Sequence, residues 1–218
     1  MKRIYLIMLM IAAMMVSCNP KDEDDNNNSG GNGNNGGGND QYNGYEYVNL
    51  GLPSGLKWAT CNVGASKPED YGDYFAWGET SPKVEHNCIT DGEHMGDISG
   101  NAQYDAATAN WGGSWRMPTK DEMQELVDHC EWEWTQVNGV NGSKVVGSNG
   151  SCIFLPAAGY DVVEYLVFEG DYGYYWSSTP YDHYSNVYAS GLYFYDGRDT
   201  VWPHFSRNGG KTVRPVSE

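Results

Sequence analysis

An α+β domain with short antiparallel strands, one main helix and long irregular loops is what this sequence predicts, on three observations. Thr119-Lys120-Asp121-Glu122 forms a capping box, and Met123, Leu126, Val127 and Cys130 follow at helical spacing, which makes one confident helix. Beyond His129, apolar and polar residues alternate in short runs punctuated by Asn149-Gly150 and Asp196-Gly197, dipeptides that supply the positive φ angles of tight hairpins. No periodic pattern occupies the stretch from about Ala65 to Asn110 apart from a short helical candidate at Asp105 to Ala109. Loops of that length in a compact domain are usually functional or stapled.

Taken in order, the chain opens on an address. Lys2 and Arg3 precede an apolar run from Ile4 to Val16, then Ser17 and Cys18, the layout of a secretory signal, and the run is too short to span a bilayer comfortably. Met15-Val16-Ser17-Cys18 resembles a bacterial lipobox, so residues 1–17 are expected to be removed and Cys18 to carry lipid, palmitate included, in the outer membrane. The burst Lys21-Asp22-Glu23-Asp24-Asp25 resembles the surface-export signal of Bacteroidetes-type lipoproteins. Residues 18–43 form the tether: from Asn19 to Asn43, 9 residues are Asn and 6 are Gly. Such a stretch buries too little to offset its chain entropy, and as a Gly-rich coil it reaches on the order of 25–30 Å.

The folded domain is expected over residues 44–218. Tyr45 to Leu50 and Leu56 to Thr60 read as two strands around the turn-rich Gly51-Leu52-Pro53-Ser54-Gly55. After the helix, Lys144-Val145-Val146 and Ser151 to Leu155 flank the Gly147 to Gly150 turn. Leu192 to Tyr195 and Thr200 to Trp202 flank Asp196-Gly197, and Lys211 to Val216 makes a terminal strand.

Composition bounds the partners. The 218 residues hold 13 Lys+Arg against 29 Asp+Glu, a net charge of -16. Nucleic acid is therefore excluded as a partner, since phosphate binding needs a basic footprint. At 39% hydrophobic and 14% aromatic, the chain can build a core. Cys61, Cys88, Cys130 and Cys152 form an even set in a secreted context, with three pairings open.

Several pieces stand together: Gly51-Leu52-Pro53-Ser54-Gly55-Leu56-Lys57-Trp58-Ala59-Thr60-Cys61-Asn62-Val63-Gly64, Tyr71-Gly72-Asp73-Tyr74-Phe75-Ala76-Trp77-Gly78-Glu79, Trp111-Gly112-Gly113-Ser114-Trp115-Arg116-Met117-Pro118, Phe154-Leu155-Pro156-Ala157-Ala158-Gly159-Tyr160, Tyr175-Trp176-Ser177-Ser178-Thr179 and Thr212-Val213-Arg214-Pro215-Val216. In this order they resemble the Fibrobacter succinogenes major paralogous domain family over essentially Val48 to Glu218. The resemblance implies a C-type-lectin-like fold, related to formylglycine-generating enzymes, on secreted or lipid-anchored proteins, with a display surface near the C-terminus. It places Cys61 and Cys130 in its recurrent pieces and pairs them, which leaves Cys88 with Cys152. Trp58, Trp77, Trp115 and Trp176 are expected as core anchors whose indole NH groups need partners. Arg116 is expected to brace loop carbonyls or a carboxylate such as Glu79.

No catalytic constellation appears. The five histidines scatter through loops without C-x-x-C or H-E-x-x-H spacing, and neither a P-loop nor a strand-helix G-x-G-x-x-G occurs. The cysteine pair that holds copper in formylglycine-generating enzymes has no counterpart after Cys152, so enzymatic activity and cofactors are not expected. The Asp91 to Asp97 loop offers hard oxygen donors for a structural calcium.

The remaining signal is aromatic. Alternation puts Leu192 and Phe194 on one face and Tyr193 and Tyr195 on the other. The second face, with Tyr181, His183, Tyr184, Arg198, Asp199, Trp202, His204 and Asn208, reads as a ligand-binding surface, because rings bearing hydroxyls give contact area at low entropy cost and suit sugars. Cross-strand ring packing is the plain alternative. The expected function is non-catalytic recognition of an extracellular glycan or protein, with an assembly role in a surface or fimbrial structure as the other reading.

Overall fold

A computed structural model describes residues 40–82, 90, 92–162, 165–181 and 186–218. Its helices are short: α1 (Ala106–Trp111) has 6 residues and α2 (Lys120–His129) has 10. The strands are β1 (Asp40–Tyr42), β2 (Tyr45–Asn49), β3 (Lys57–Ala59), β4 (Glu131–Val137), β5 (Val140–Val146), β6 (Cys152–Pro156), β7 (Tyr160–Val162), β8 (Tyr165–Val167), β9 (Gly173–Tyr181), β10 (Tyr188–Tyr195), β11 (Arg198–Ser206) and β12 (Val216–Ser217). The C-type-lectin-like α+β expectation is therefore corrected to a β-rich arrangement of several small antiparallel sheets. The helix pattern held, but strands β4, β7, β8 and β9, which tertiary pairing creates, shift the balance.

β1-β2-β3-β12 form one sheet that joins the two ends of the described chain, and β4-β5-β6, β9-β10-β11 and β7-β8 form three more. Asp40–Tyr42, at the end of the stretch read as a tether, pairs with β2. Asn138-Gly139 closes the β4-β5 hairpin with φ of 48° and 87°, both positive as a two-residue primed turn requires. Gly197, with φ of 80°, does the same work at the tip of β10-β11, where Tyr195 pairs with Arg198. The expected terminal strand is mostly isolated bridges: Lys211 to Phe75 and Thr212 to Tyr175, before β12 itself.

Two apolar clusters share the β9-β10-β11 sheet. On one face Tyr175, Leu192 and Phe194 pack with Met123 and Leu126 of α2 and Ile153 and Leu155 of β6. On the other, Trp176 and Ala189 pack with Phe75, Trp77, Trp115 and Val213 beneath the long loops. All four expected tryptophan anchors are fully buried. Trp77, Trp115 and Trp176 donate to the carbonyls of Ser177, Tyr42 and Phe75, while the Trp58 indole NH has no acceptor among the described residues. The loops are held by buried cations: Arg214 donates to Asn62 Oδ1 and to the carbonyls of Ala59, Thr60 and Phe154. Arg207 lies over the Trp77 ring and donates to the carbonyls of Thr90 and Glu93. Irregular backbone of this kind needs such donors, since a buried carbonyl without a partner is costly.

Arg116 braces a carboxylate, as expected, but that of Glu122 in place of Glu79, through two bonds of 2.8 and 2.7 Å, because Glu122 is already turned back toward the helix start by the capping box. The expected pairing of Cys61 with Cys130 is corrected. Cys61 and Cys130 are free thiols. Cys61 leaves β3 beside Thr60, whereas Cys130 caps α2 and packs on the first cluster, so each thiol has other neighbours. Cys152 is disulfide-bonded, and its expected partner Cys88 lies outside the described residues, as do Cys18 and the signal segment.

Candidate functional site

The second cluster covers only half of the outer face of β9-β10-β11, and the other half carries rings. Leu192 and Phe194 are 1% and 0% exposed, whereas Tyr193 and Tyr195 on the opposite face are half-buried. Strand pairing sets Tyr174 beside Tyr193, and the turn before β9 brings in Tyr172. Tyr172 stacks on Tyr193 at 5.8 Å and meets Tyr195 at 5.3 Å, while Tyr174 lies 5.1 Å from Tyr193. Tyr160 of β7 meets Tyr174 at 5.0 Å. Burial, then its tyrosine neighbours, pushes the Tyr174 hydroxyl up from the usual phenol range, so that hydroxyl keeps its proton and its donor.

Phe168 extends the row. Its ring touches Tyr172 at 5.0 Å and remains 50% exposed, yet its backbone holds φ of 60°. A bulky residue in the left-handed region costs on the order of 1–3 kcal/mol and persists only where surroundings impose it. Here the Phe168 carbonyl accepts from the Asp171 and Tyr172 amides at 3.1 Å each.

A pocket of about 430 Å³ opens at the end of the row, between Tyr160, Tyr174 and Phe205, with His204 and Asn208 at its polar edge. Its floor is Lys211, 3% exposed. The Lys211 Nζ lies 4.1 Å from the Trp176 ring centroid, 5.0 Å from Phe205 and 5.4 Å from Tyr160, and donates one long bond of 3.4 Å to the Gly209 carbonyl. Burial pulls its ammonium down to about 7. A second cleft of about 500 Å³, next to undescribed residues, is lined by Glu93, His94 and Asp97 among others.

The expected binding residues divide into two groups. Tyr193 and Tyr195 belong to the ring row, with Arg198 exposed at the hairpin tip and Asp199, whose carboxyl burial pushes up, opposite Phe194. Tyr181 of β9 gathers with Trp202 and His204 of β11, His204 lying 4.1 Å from Tyr181 and 6.1 Å from Trp202. The Lys211 pocket lies between these groups, reached by Tyr174 from one and His204 from the other. His183 and Tyr184 lie outside the described residues. Reading the sequence missed Tyr160, Phe168, Tyr172, Tyr174 and Lys211 as site residues. The pattern Tyr172-x-Tyr174 offered a period-2 signal for the first strand of the row, but nothing local marks Lys211. Of the calcium loop, Asp91 is not described, and Asp97 accepts from Thr179 Oγ1 at 2.7 Å and from the Ser99 amide. No group of three His, Cys, Asp or Glu able to hold a metal occurs among the described residues.

Small twisted sheets, loops tied by buried arginines and a ring-lined face ending in a pocket define a β-rich domain with a ligand-sized aromatic cleft. The family model of the Lcl C-terminal domain matches residues 51–217, and the chain belongs to that family. No curated protein matches the chain, and no solved structure does.

Proposed function

We propose that the protein is a lipid-anchored surface protein, of the Bacteroidetes type and akin to the Fibrobacter-type paralogous domains, that binds an extracellular glycan or protein without chemistry of its own. The observation that supports it is the open row Phe168, Tyr172, Tyr174, Tyr193 and Tyr195, whose centroids step at 5.0 to 5.8 Å. Partly exposed rings bearing hydroxyls offer an apolar face together with a polar edge, a pairing that suits sugars. The acidity of the chain directs the choice toward partners without dense negative charge. Tyr172→Ala and Tyr193→Ala are expected to weaken glycan-array binding by about 2 kcal/mol each, beyond any loss of folded protein read from melting. If retention only follows the folded fraction, the row is packing and the site lies elsewhere. Lipid at Cys18 is checked by palmitate-analogue labelling that Cys18→Ala abolishes.

A second reading, an assembly subunit, is favoured by the β7-β8 hairpin, where Tyr165 is 71% exposed, Val162 43% and Leu166 40%. Light scattering that finds a ligand-free oligomer, dissolved by Leu166→Asp, selects this reading.

A further inference from the structure

Among the described residues, the buried arginines Arg207 and Arg214 and the half-buried Arg116 each have partners supplied by the fold. Arg214 and Arg207 each donate to several carbonyls, and Arg116 holds the Glu122 carboxylate. Lys211 has three rings and a single long bond to the Gly209 carbonyl, and no carboxylate within reach among the described residues. An ammonium has three protons to donate, and a buried one left with most of them unused is expensive. This one also sits at the floor of an open pocket, not in closed core. Gly209 completes the arrangement: a Cβ there would come to 3.0 Å from Nζ, so the missing side chain keeps the approach to the amine clear.

We infer that the Lys211 pocket is a carboxylate subsite, taking one acid group on a ring-sized body that lies between Tyr160, Tyr174 and Phe205. The inference rests on the reading of the outer face as a binding surface and names the ligand group it selects. A carboxylate supplies the missing acceptors at charge-assisted strength in a site screened from water. The rings cover the body of the ligand, and Ser206 and Asn208 at the mouth offer polar contacts to a saccharide ring or leave an aryl ring uncontested. One acid group fits the charge of the chain, where a polyanion would be repelled at long range.

Binding also has a proton signature. The free ammonium is held near 7 by burial, and an adjacent carboxylate moves it upward, so occupation at about pH 8 takes a proton from the buffer. The titratable groups on elements packed against Lys211 are Tyr160 and Asp161 on β7, Tyr174 on β9, His204 on β11 and Tyr74 beside its bridge partner Phe75.

The test is calorimetry on the full-length protein with phenylacetate and glucuronate against their neutral counterparts phenylacetamide and methyl glucoside. At least one acid is expected to bind about tenfold or more tighter than its counterpart, with proton uptake at about pH 8 that persists in His204→Gln. Lys211→Met is expected to erase the preference to within about twofold. Should that variant not fold, Gly209→Ala decides, its methyl expected to weaken acid binding about fivefold without a change in melting. Equal binding of acid and counterpart, no binding of either acid, or preference retained in the variants overturns the inference. If the wild-type protein shows no acid preference while Tyr193-dependent glycan binding is intact, this subsite alone falls; if it shows neither, the binding face falls as well. Which acid wins tells an apolar ring from a sugar ring.

Discussion

Lys211 carries a stability consequence separable from binding. Its folded-state ammonium is depressed to about 7 from an ordinary 10.5, so the unfolded chain holds the proton more tightly. The cost of charging it is absent above about pH 10.5, grows as the pH falls, and is complete below about pH 7. Lys211→Met is therefore expected to stabilise the domain by about 1–3 kcal/mol at about pH 6, with the gain shrinking toward about pH 9. Denaturant titrations of both proteins across that range check it, and a gain independent of pH would deny the burial cost. Phe168 is the second residue whose conformation serves something other than stability. Phe168→Gly relieves the positive φ while deleting the ring, so melting is expected to hold or rise as glycan retention falls about tenfold. A lower melting temperature with unchanged retention assigns the ring to packing. Both residues were beyond local reading: the chain around Lys211 alternates like an ordinary strand, and Phe168 lies in a stretch without turn dipeptides.

Among the elements, α2 depends on one node. Thr119 Oγ1 accepts from the Glu122 amide at 3.2 Å, and the Glu122 carboxylate accepts from the Thr119 amide and from both Arg116 terminal nitrogens. Burial pushes the Glu122 carboxyl up, but the Arg116 fork and the Thr119 amide together outweigh it and hold the carboxyl below the usual range. Its contribution is present above the ordinary glutamate value and is lost as the pH falls through the lowered one. Glu122→Gln is expected to cost about 1–3 kcal/mol at pH 7, with the difference from wild type narrowing below about pH 4. Chemical denaturation of the two proteins over that range decides; a difference that stays constant removes the ion pair from the account. The box was plain in the sequence because capping is settled within four residues. Its Arg116 partner was not, because the turn back to the helix start is set by the bridge of Arg116 to Val216.

For the whole molecule, covalent connectivity separates expectation from structure. Peptide mapping after alkylation of the unfolded, unreduced protein is expected to find Cys61 and Cys130 modified and Cys152 protected. In the native state both thiols are expected to react slowly, since burial pushes the Cys61 thiol up and Cys130 to about 11. A Cys61–Cys130 crosslinked peptide would restore the pairing the family resemblance implied. Short-range patterns in the chain were enough for the α2 cap, the two glycine-turned hairpins, the split of β10 into a Leu192/Phe194 core face and a Tyr193/Tyr195 outer face, and the burial of the four tryptophans. Each of these depends on neighbours a few residues away or on a side chain too large and apolar to leave in water. The balance toward sheet, the partner of Arg116 and the free state of Cys61 and Cys130 were settled only in three dimensions. So was the pocket, whose walls come from β7, β9 and β11 and whose floor comes from the 209–211 segment. Contacts between residues so far apart along the chain leave no periodicity in it, because their geometry is created by the packing of one sheet against its loops.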